Sequence, residues 1–161
     1  MIPDKQGLLR QLIEQLVERL SGFDKSAREA HAEATHEQNK AENKYDTRAI
    51  EASYLAEGQA RQAAEVAASI ETLEGMTLRD FGPLTPIAPG ALVQLEGNGE
   101  VAWYLVASCA GGAELVFEGA SVLVLTPQSP LGGALSGLTT GGRFKLQFGR
   151  ERVAYVVRSV H

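Results

Sequence analysis

The sequence feature that most constrains the fold is a change in hydrophobic periodicity partway along the chain. Two long early stretches contain no proline, one from Asp4 to about residue 44 and one from Thr47 to about residue 73. Apolar and small residues recur along both at spacings of three and four, which predicts two amphipathic helices. These residues are Leu9, Leu12, Leu16, Leu20, Phe23, Ala27, Ala30 and Ala34, then Ile50, Leu55, Val66, Ile70 and Leu73. Two such helices predict an antiparallel hairpin with its tip at about residues 40–50.

Glycine and proline mark the end of the hairpin. The segment GMTLRDFGPLTPIAPGA, residues 75–91, contains three glycines and three prolines, which is typical of a linker between domains. We therefore expect a hairpin domain over residues 1–76, a linker over 77–90 and a second domain over 91–161.

The second domain shows the period-two alternation of β-strands. Two alternating runs flank GNG at residues 97–99, which predicts a tight hairpin because Gly and Asn tolerate positive φ. Further strands are expected at 114–117, 120–126, 143–148 and 152–159. The segment SPLGGALSGL, residues 129–138, predicts a short helix that Ser129 caps. The expected fold class is α+β: a helical hairpin (coiled coil), then a small, mostly antiparallel sheet with one short helix.

Charge narrows the range of functions. The formal charge of −5 falls on residues 1–76, which hold 9 Lys or Arg and 14 Asp or Glu, whereas residues 77–161 hold 6 of each. This argues against indiscriminate duplex binding, since nonspecific affinity comes mainly from neutralising phosphates. A basic protein surface suits the acidic half better. No apolar run reaches the roughly 18 residues of a membrane span and no signal peptide is recognisable, so we expect a cytoplasmic protein with no membrane partner.

One segment of the second domain resembles a known family. TPQSPLGGALSGLTTGGRFKL, residues 126–146, is similar to the signature of the C-terminal FKBP-like domain of the bacterial transcript cleavage factors GreA and GreB. The matching positions are Ser129, Pro130, Leu131, Ala134, Leu135, Gly137 and Gly141. The order of hairpin, linker and compact sheet also resembles these factors. IEASYLAEGQ, residues 50–59, resembles the part of their second helix that follows the tip.

The resemblance implies a role in transcription. It implies a monomer that binds bacterial RNA polymerase, docks its sheet domain at the rim of the secondary channel and inserts the hairpin tip toward the active centre. Contact with RNA or DNA would be indirect, within the transcription complex. The implied polymerase-binding loop consists of Gln128, Ser129, Pro130 and Leu131. Gln128 stands where the family often has an acid, and Gly142 replaces the Asp of its Gly-Asp turn.

The predicted tip departs from the cleaving members of the family. In those members, Asp-x-x-Glu precedes a tyrosine, and the resemblance implies that the two acids help to hold a second Mg²⁺ beside the polymerase's own metal. Alignment on Tyr54 puts residues 47–50, Thr-Arg-Ala-Ile, in that window. Three displaced acids are candidate catalytic residues: Asp46, Glu51 and Glu42. The alternative is that they are helix caps and solvated charge.

Each of the other polar and aromatic residues of the tip has two possible roles. Lys40, Lys44 and Arg48 can contact phosphate, RNA or acidic polymerase loops, or pair with neighbouring acids. Tyr45 and Tyr54 can stack on a base, or cover the alanine-rich packing between the helices.

Three hypotheses of function remain open. The preferred one is a regulator that modulates transcription from the secondary channel without cleaving RNA and is not itself an enzyme. The second is a transcript cleavage factor that uses the displaced acids, with Mg²⁺ shared with the polymerase active site and no metal or cofactor of its own. The third is an adaptor whose sheet domain binds another protein while the hairpin serves as a spacer.

Overall fold

The computed structural model describes residues 1–35 and 47–161, and within the helices it leaves the side chains of residues 33–35, 47–49 and 52 undescribed. The chain divides into two compact units. The sheet unit comprises Met1–Leu12 and Thr72–His161, and the hairpin unit comprises Ile13–Glu71. The predicted domain boundaries at residues 76 and 90 stay a prediction.

Two long helices occupy the first part of the chain. Helix α1 spans Lys5–Thr35 and α2 spans Thr47–Glu74. Asp4 begins α1, because its carboxylate accepts hydrogen bonds from the backbone N–H groups of Gln6 (3.2 Å) and Gly7 (2.9 Å). Within the described residues, neither helix offers an apolar segment long enough to cross a membrane.

The buried positions of α1 and α2 only partly follow the predicted stripes. The buried residues are Leu8, Leu12, Leu16, Val66 and Leu73. The row in α1 thus begins at Leu8 rather than at the predicted Leu9. Ile50 and Leu55 are 53% and 63% exposed, so their predicted burial is wrong. Ile50 lies about 160° around α2 from the buried Val66, so a count of threes and fours along the chain does not keep it on the buried side.

Six strands and one short helix follow the hairpin in the described chain. They are β1 Leu92–Gly97, β2 Glu100–Val106, β3 Glu114–Phe117, β4 Ala120–Leu125, α3 Pro130–Leu135, β5 Arg143–Phe148 and β6 Glu151–Val160. The strands form one sheet in the order β3-β4-β2-β1-β6-β5. The predicted α+β class is confirmed. The sheet is mixed rather than antiparallel throughout, because the β3–β4 hairpin places β4 parallel to β2.

The predicted hairpin around GNG is confirmed. Strand β1 ends at Gly97 and β2 begins at Glu100, with Gly97 paired to Glu100. The two turn residues, Asn98 and Gly99, have φ angles of 52° and 80°. Both lie in the left-handed region, which two-residue turns of this kind require.

One face of the sheet carries a hydrophobic core. The linker supplies Phe81 and Ile87, helix α3 supplies Leu135, and strands supply Val93, Leu95, Val106, Leu125 and Val157. Residues of the other face are also buried on β1, β2 and β4, namely Leu92, Leu105, Val122 and Val124. The sheet unit is therefore buried on both faces in its middle strands.

The first turns of α1 are joined to the sheet unit by polar contacts. The Gln11 amide accepts a hydrogen bond from the Val116 N–H at 2.8 Å and donates one to the Val116 carbonyl at 3.4 Å. The Lys5 ammonium donates to the carbonyls of Arg79 and Gly90 and lies 5.2 Å from the centre of the Phe81 ring. These contacts explain why residues 1–12 form one compact unit with the sheet.

Candidate functional site

Most residues of the predicted tip fall outside the described chain. These are Lys40, Glu42, Lys44, Tyr45 and Asp46. Arg48 lies in the first turn of α2, but its side chain is also outside the description. The predicted roles of these six residues, in catalysis or in contact with polymerase and RNA, stay predictions.

Two predicted tip residues are described, and both are exposed. Glu51 and Tyr54 are three positions apart on α2, so they lie on neighbouring parts of its surface. Tyr54 is 70% exposed. Its ring therefore does little to cover the packing between the helices and is available to a partner.

Ile50 adds an apolar group to this surface. It lies four residues before Tyr54 and is 53% exposed. At about 100° per residue, Ile50 is turned about 160° around the helix from the buried Val66. The side chain thus points away from the buried side of α2, although the sequence pattern assigned it to that side.

The second predicted site is the loop at the start of α3, and its geometry explains the sequence signature. The Ser129 hydroxyl accepts a hydrogen bond from the Gly132 N–H (3.1 Å) and donates one to the Thr126 carbonyl (2.8 Å). Pro130 follows in the first turn of the helix, where its missing N–H costs nothing. Ser129 is therefore the N-cap of α3, as the sequence predicts.

Gly132 holds the same loop close to the preceding strand. A Cβ at this position would collide with the backbone carbonyl of Thr126 and would come within 2.9 Å of the Ser129 hydroxyl oxygen. This chain thus needs glycine at position 132 for close approach, a reason that the sequence alone did not show.

The four predicted polymerase-binding residues divide into two groups. Gln128 and Pro130 are exposed, whereas Ser129 and Leu131 are half-buried. Leu131 packs against the hydrophobic core, and Ser129 caps the helix. Gln128 and Pro130 are thus the members of the loop with the most surface to offer a partner, and the docking role itself stays a prediction.

A pocket in the hairpin unit was not predicted. It lies between α1 and α2 and is lined by Val17, Leu20, Ser21, Phe23, Asp24, Ala27, Gln59, Ala60 and Ala63. The side-chain amide oxygen of Gln59 is buried there with no hydrogen-bond partner among the described residues. The sequence pattern that could have predicted this pocket is the mixture of leucine and alanine on the facing sides of the two helices. Alanine leaves space there that its larger neighbours do not fill.

Among the described residues, three titratable groups of the sheet unit have shifted pKa values. Burial lowers the pKa of Lys5, which Asp80 partly offsets. Burial and then the positive charge of Lys5 lower the pKa of His161. Burial, with a smaller effect of Tyr155, raises the pKa of Tyr104. No group of three or more metal-ligating side chains occurs in residues 1–35 and 47–161.

The structure defines a two-part α+β protein in which two long helices precede a six-stranded mixed sheet. No family model matches the sequence, and no curated protein matches it. Among solved structures, the chain is similar to Gfh1 of Thermus aquaticus, with 22% identity, a TM-score of 0.41 and 92% of each chain covered.

Two further solved structures are similar. One is GreA factor homolog 1 (Gfh1) of Thermus thermophilus, with 23% identity and a TM-score of 0.38 over 92% of this chain and 94% of that chain. The other is the transcription elongation factor GreA/GreB from Nitrosomonas europaea, with 15% identity and a TM-score of 0.37 over 61% of this chain and 78% of that chain.

Proposed function

We propose that this protein is a Gre-like regulator of bacterial RNA polymerase that acts from the secondary channel without cleaving the transcript. The observation that carries the proposal is the folded form of the signature segment. Ser129 caps a short helix on a small sheet, and two long helices precede that sheet in the chain. The proposal implies a cytoplasmic monomer whose contact with RNA or DNA is indirect.

The exposed part of the α3 loop supplies the proposed docking contact. Gln128 and Pro130 are exposed beside a cap that fixes their backbone. A loop held by its own hydrogen bonds loses little conformational entropy when a partner binds. Gln128 is neutral, so this contact relies on hydrogen bonding and shape rather than on an ion pair.

The residues ahead of Tyr54 support the noncleaving form of the proposal. Ile50 stands where cleaving members of the resembled family carry Glu, and Thr47 stands where they carry Asp. Mg²⁺ prefers oxygen ligands, and an isoleucine side chain provides none. Ile50 and the exposed Tyr54 instead provide an apolar and an aromatic side chain for contact with the polymerase near its active centre.

The competing hypothesis is cleavage with displaced acids. Glu51 is exposed and thus accessible. If Asp46 and Glu51 were on one regular helix, five residues would separate them by about 140°, which does not suit joint ligation of one ion. The test of function therefore includes a variant that lacks the carboxylates of Asp46 and Glu51.

The direct test is RNA cleavage in a stalled, backtracked elongation complex with Mg²⁺. We expect wild-type protein to bind polymerase in a pull-down without shortening the RNA. The double variant Asp46→Ala/Glu51→Ala should then give the same result as wild type, because there is no cleavage activity to remove. The variant Glu29→Ala/Glu57→Ala is the control, since it removes the same amount of negative charge at other exposed positions of the helices. Mg²⁺-dependent shortening by wild type that disappears only in the first variant would replace our proposal with the displaced-acid hypothesis.

A gain-of-function variant sharpens the same test. Thr47→Asp/Ile50→Glu restores Asp-x-x-Glu at the aligned positions, and we expect it to raise the cleavage rate at least about tenfold, as added Mg²⁺ ligands should. Absence of polymerase binding by the wild type would overturn the proposal as a whole. Unchanged effects on transcription after deletion of residues 40–50 would favour the adaptor hypothesis.

A further inference from the structure

Positive charge in the second half of the chain is concentrated in one β-hairpin. Five of the six Lys and Arg residues after residue 76 lie in β5, in β6 or in the turn between them: Arg143, Lys145, Arg150, Arg152 and Arg158. Glu151 is the only acid in the span 143–160. The protein as a whole has a net charge of −5, so this hairpin has the opposite sign to the rest of the molecule.

Four of these bases lie on one side of the sheet. Arg143 pairs with Val156, Lys145 with Ala154, and Gln147 with Arg152. Paired residues share a face, and so do alternate residues along a strand. The side chains of Arg143, Lys145 and Arg152 therefore lie on the same face, which we call the basic face. Arg158 lies at a β-bulge of β6, and its ion pair with Glu96, which is paired with Val156, places it on the basic face as well. All four residues are exposed.

The opposite face of the same two strands is apolar. Phe144 and Tyr155 stack there with ring centres 5.1 Å apart, and both pack against the hydrophobic core that contains Val157. The basic face therefore carries no aromatic ring from β5 or β6 on which a nucleotide base would stack.

Most of the charge on the basic face is uncompensated. The Arg158 guanidinium forms an ion pair with the Glu96 carboxylate on β1. Among the described residues, Arg143, Lys145 and Arg152 take part in no ion pair. Charge on an edge strand can protect it from unwanted pairing, which accounts for Arg143 and Lys145 on β5 but not for Arg152, which lies on the inner strand β6.

We propose that the basic face binds an acidic, extended polypeptide segment. Alternate residues of a strand are roughly 6.6 Å apart, so an extended segment with acids at alternate positions matches the spacing of Arg143 and Lys145. Strand β5 is also the last strand of the sheet, and its outer edge can accept an added strand. The lack of a stacking ring from β5 or β6 on this face and the net negative charge of the chain favour a protein partner over a nucleic acid.

The test measures fluorescence anisotropy with the full chain and labelled probes at low salt. The probes are a ten-residue peptide with glutamate at alternate positions and serine between, the same peptide with lysine instead of glutamate, and a ten-nucleotide oligothymidylate. We expect saturable binding of the glutamate peptide alone, weakening as salt is added. In Arg143→Gln/Lys145→Gln the affinity should fall at least about tenfold, consistent with loss of two charge-assisted contacts.

The matched control keeps the charge while exchanging the side chains. Arg143→Lys/Lys145→Arg should bind the glutamate peptide within a few-fold of wild type, and amide NMR shifts on peptide addition should map to β5 and β6. Thermal unfolding of each variant confirms that it folds. The proposal is overturned if the glutamate peptide does not bind, if the Gln variant binds it unchanged, or if the oligonucleotide binds as tightly. None of these outcomes depends on binding to polymerase, so the proposed function is tested separately.

Discussion

At the scale of single residues, Gly132 carries the tightest constraint in the α3 loop. The backbone carbonyl of Thr126 occupies the place that a Cβ at this position would take. We expect Gly132→Ala to reduce the free energy of unfolding by about 1–3 kcal/mol, the usual cost of overpacking, measured by urea denaturation. Gly58→Ala is the control, because a Cβ at this helical position would meet open space, and it should leave the protein equally or more stable. An unchanged midpoint for Gly132→Ala would show that the loop can shift to accept the methyl group.

The same loop shows how much of a site can be predicted residue by residue. The capping role of Ser129 followed from Ser-Pro ahead of a small-residue helix, because caps depend on local backbone geometry. The exposed state of Tyr54 and Ile50 did not follow from sequence. Counting threes and fours along the sequence placed Ile50 on the buried stripe, whereas about 100° per residue turns it about 160° around α2 from Val66.

At the scale of elements, β3 is an edge strand whose middle is paired by a side chain. The Gln11 amide makes two hydrogen bonds with the backbone of Val116, as a neighbouring strand would. We expect Gln11→Ala to speed hydrogen exchange at the Val116 amide and to lower the free energy of unfolding by about 0.5–1.5 kcal/mol. Gln6→Ala is the control, because Gln6 contributes to the start of α1 through its backbone N–H. Unchanged exchange at Val116 would mean that this contact does not protect the edge.

At the scale of the whole molecule, the sheet unit includes residues from the start of α1 and from the end of α2. Leu8, Leu12 and Leu73 are 2%, 0% and 0% exposed, and all three belong to this unit. We expect a fragment of residues 77–161, which omits them, to melt at a lower temperature than the full chain. Each lost leucine removes roughly 1.5–3 kcal/mol of burial.

A shortened variant separates this effect from loss of the hairpin itself. Replacing residues 21–61 by a short turn keeps all three leucines and the Gln11 contact, so its sheet unit should melt close to the full chain. A fragment of residues 77–161 as stable as the full chain would instead support the predicted boundary at residue 76. Thermal unfolding followed by near-ultraviolet circular dichroism reports on Trp103 and thus on the sheet unit.

The sequence was enough to predict the kinds and order of the elements, because helix and strand periodicity, capping and tight turns depend on neighbours along the chain. It predicted both long helices, the Asn98–Gly99 turn and the cap of α3. The tertiary structure alone decided that β4 runs parallel to β2, that Gln11 pairs with β3, and that Arg143, Lys145 and Arg152 share one face. These features depend on which distant strands become neighbours and in which register, and that choice is made by burial of the whole sheet rather than by any local pattern.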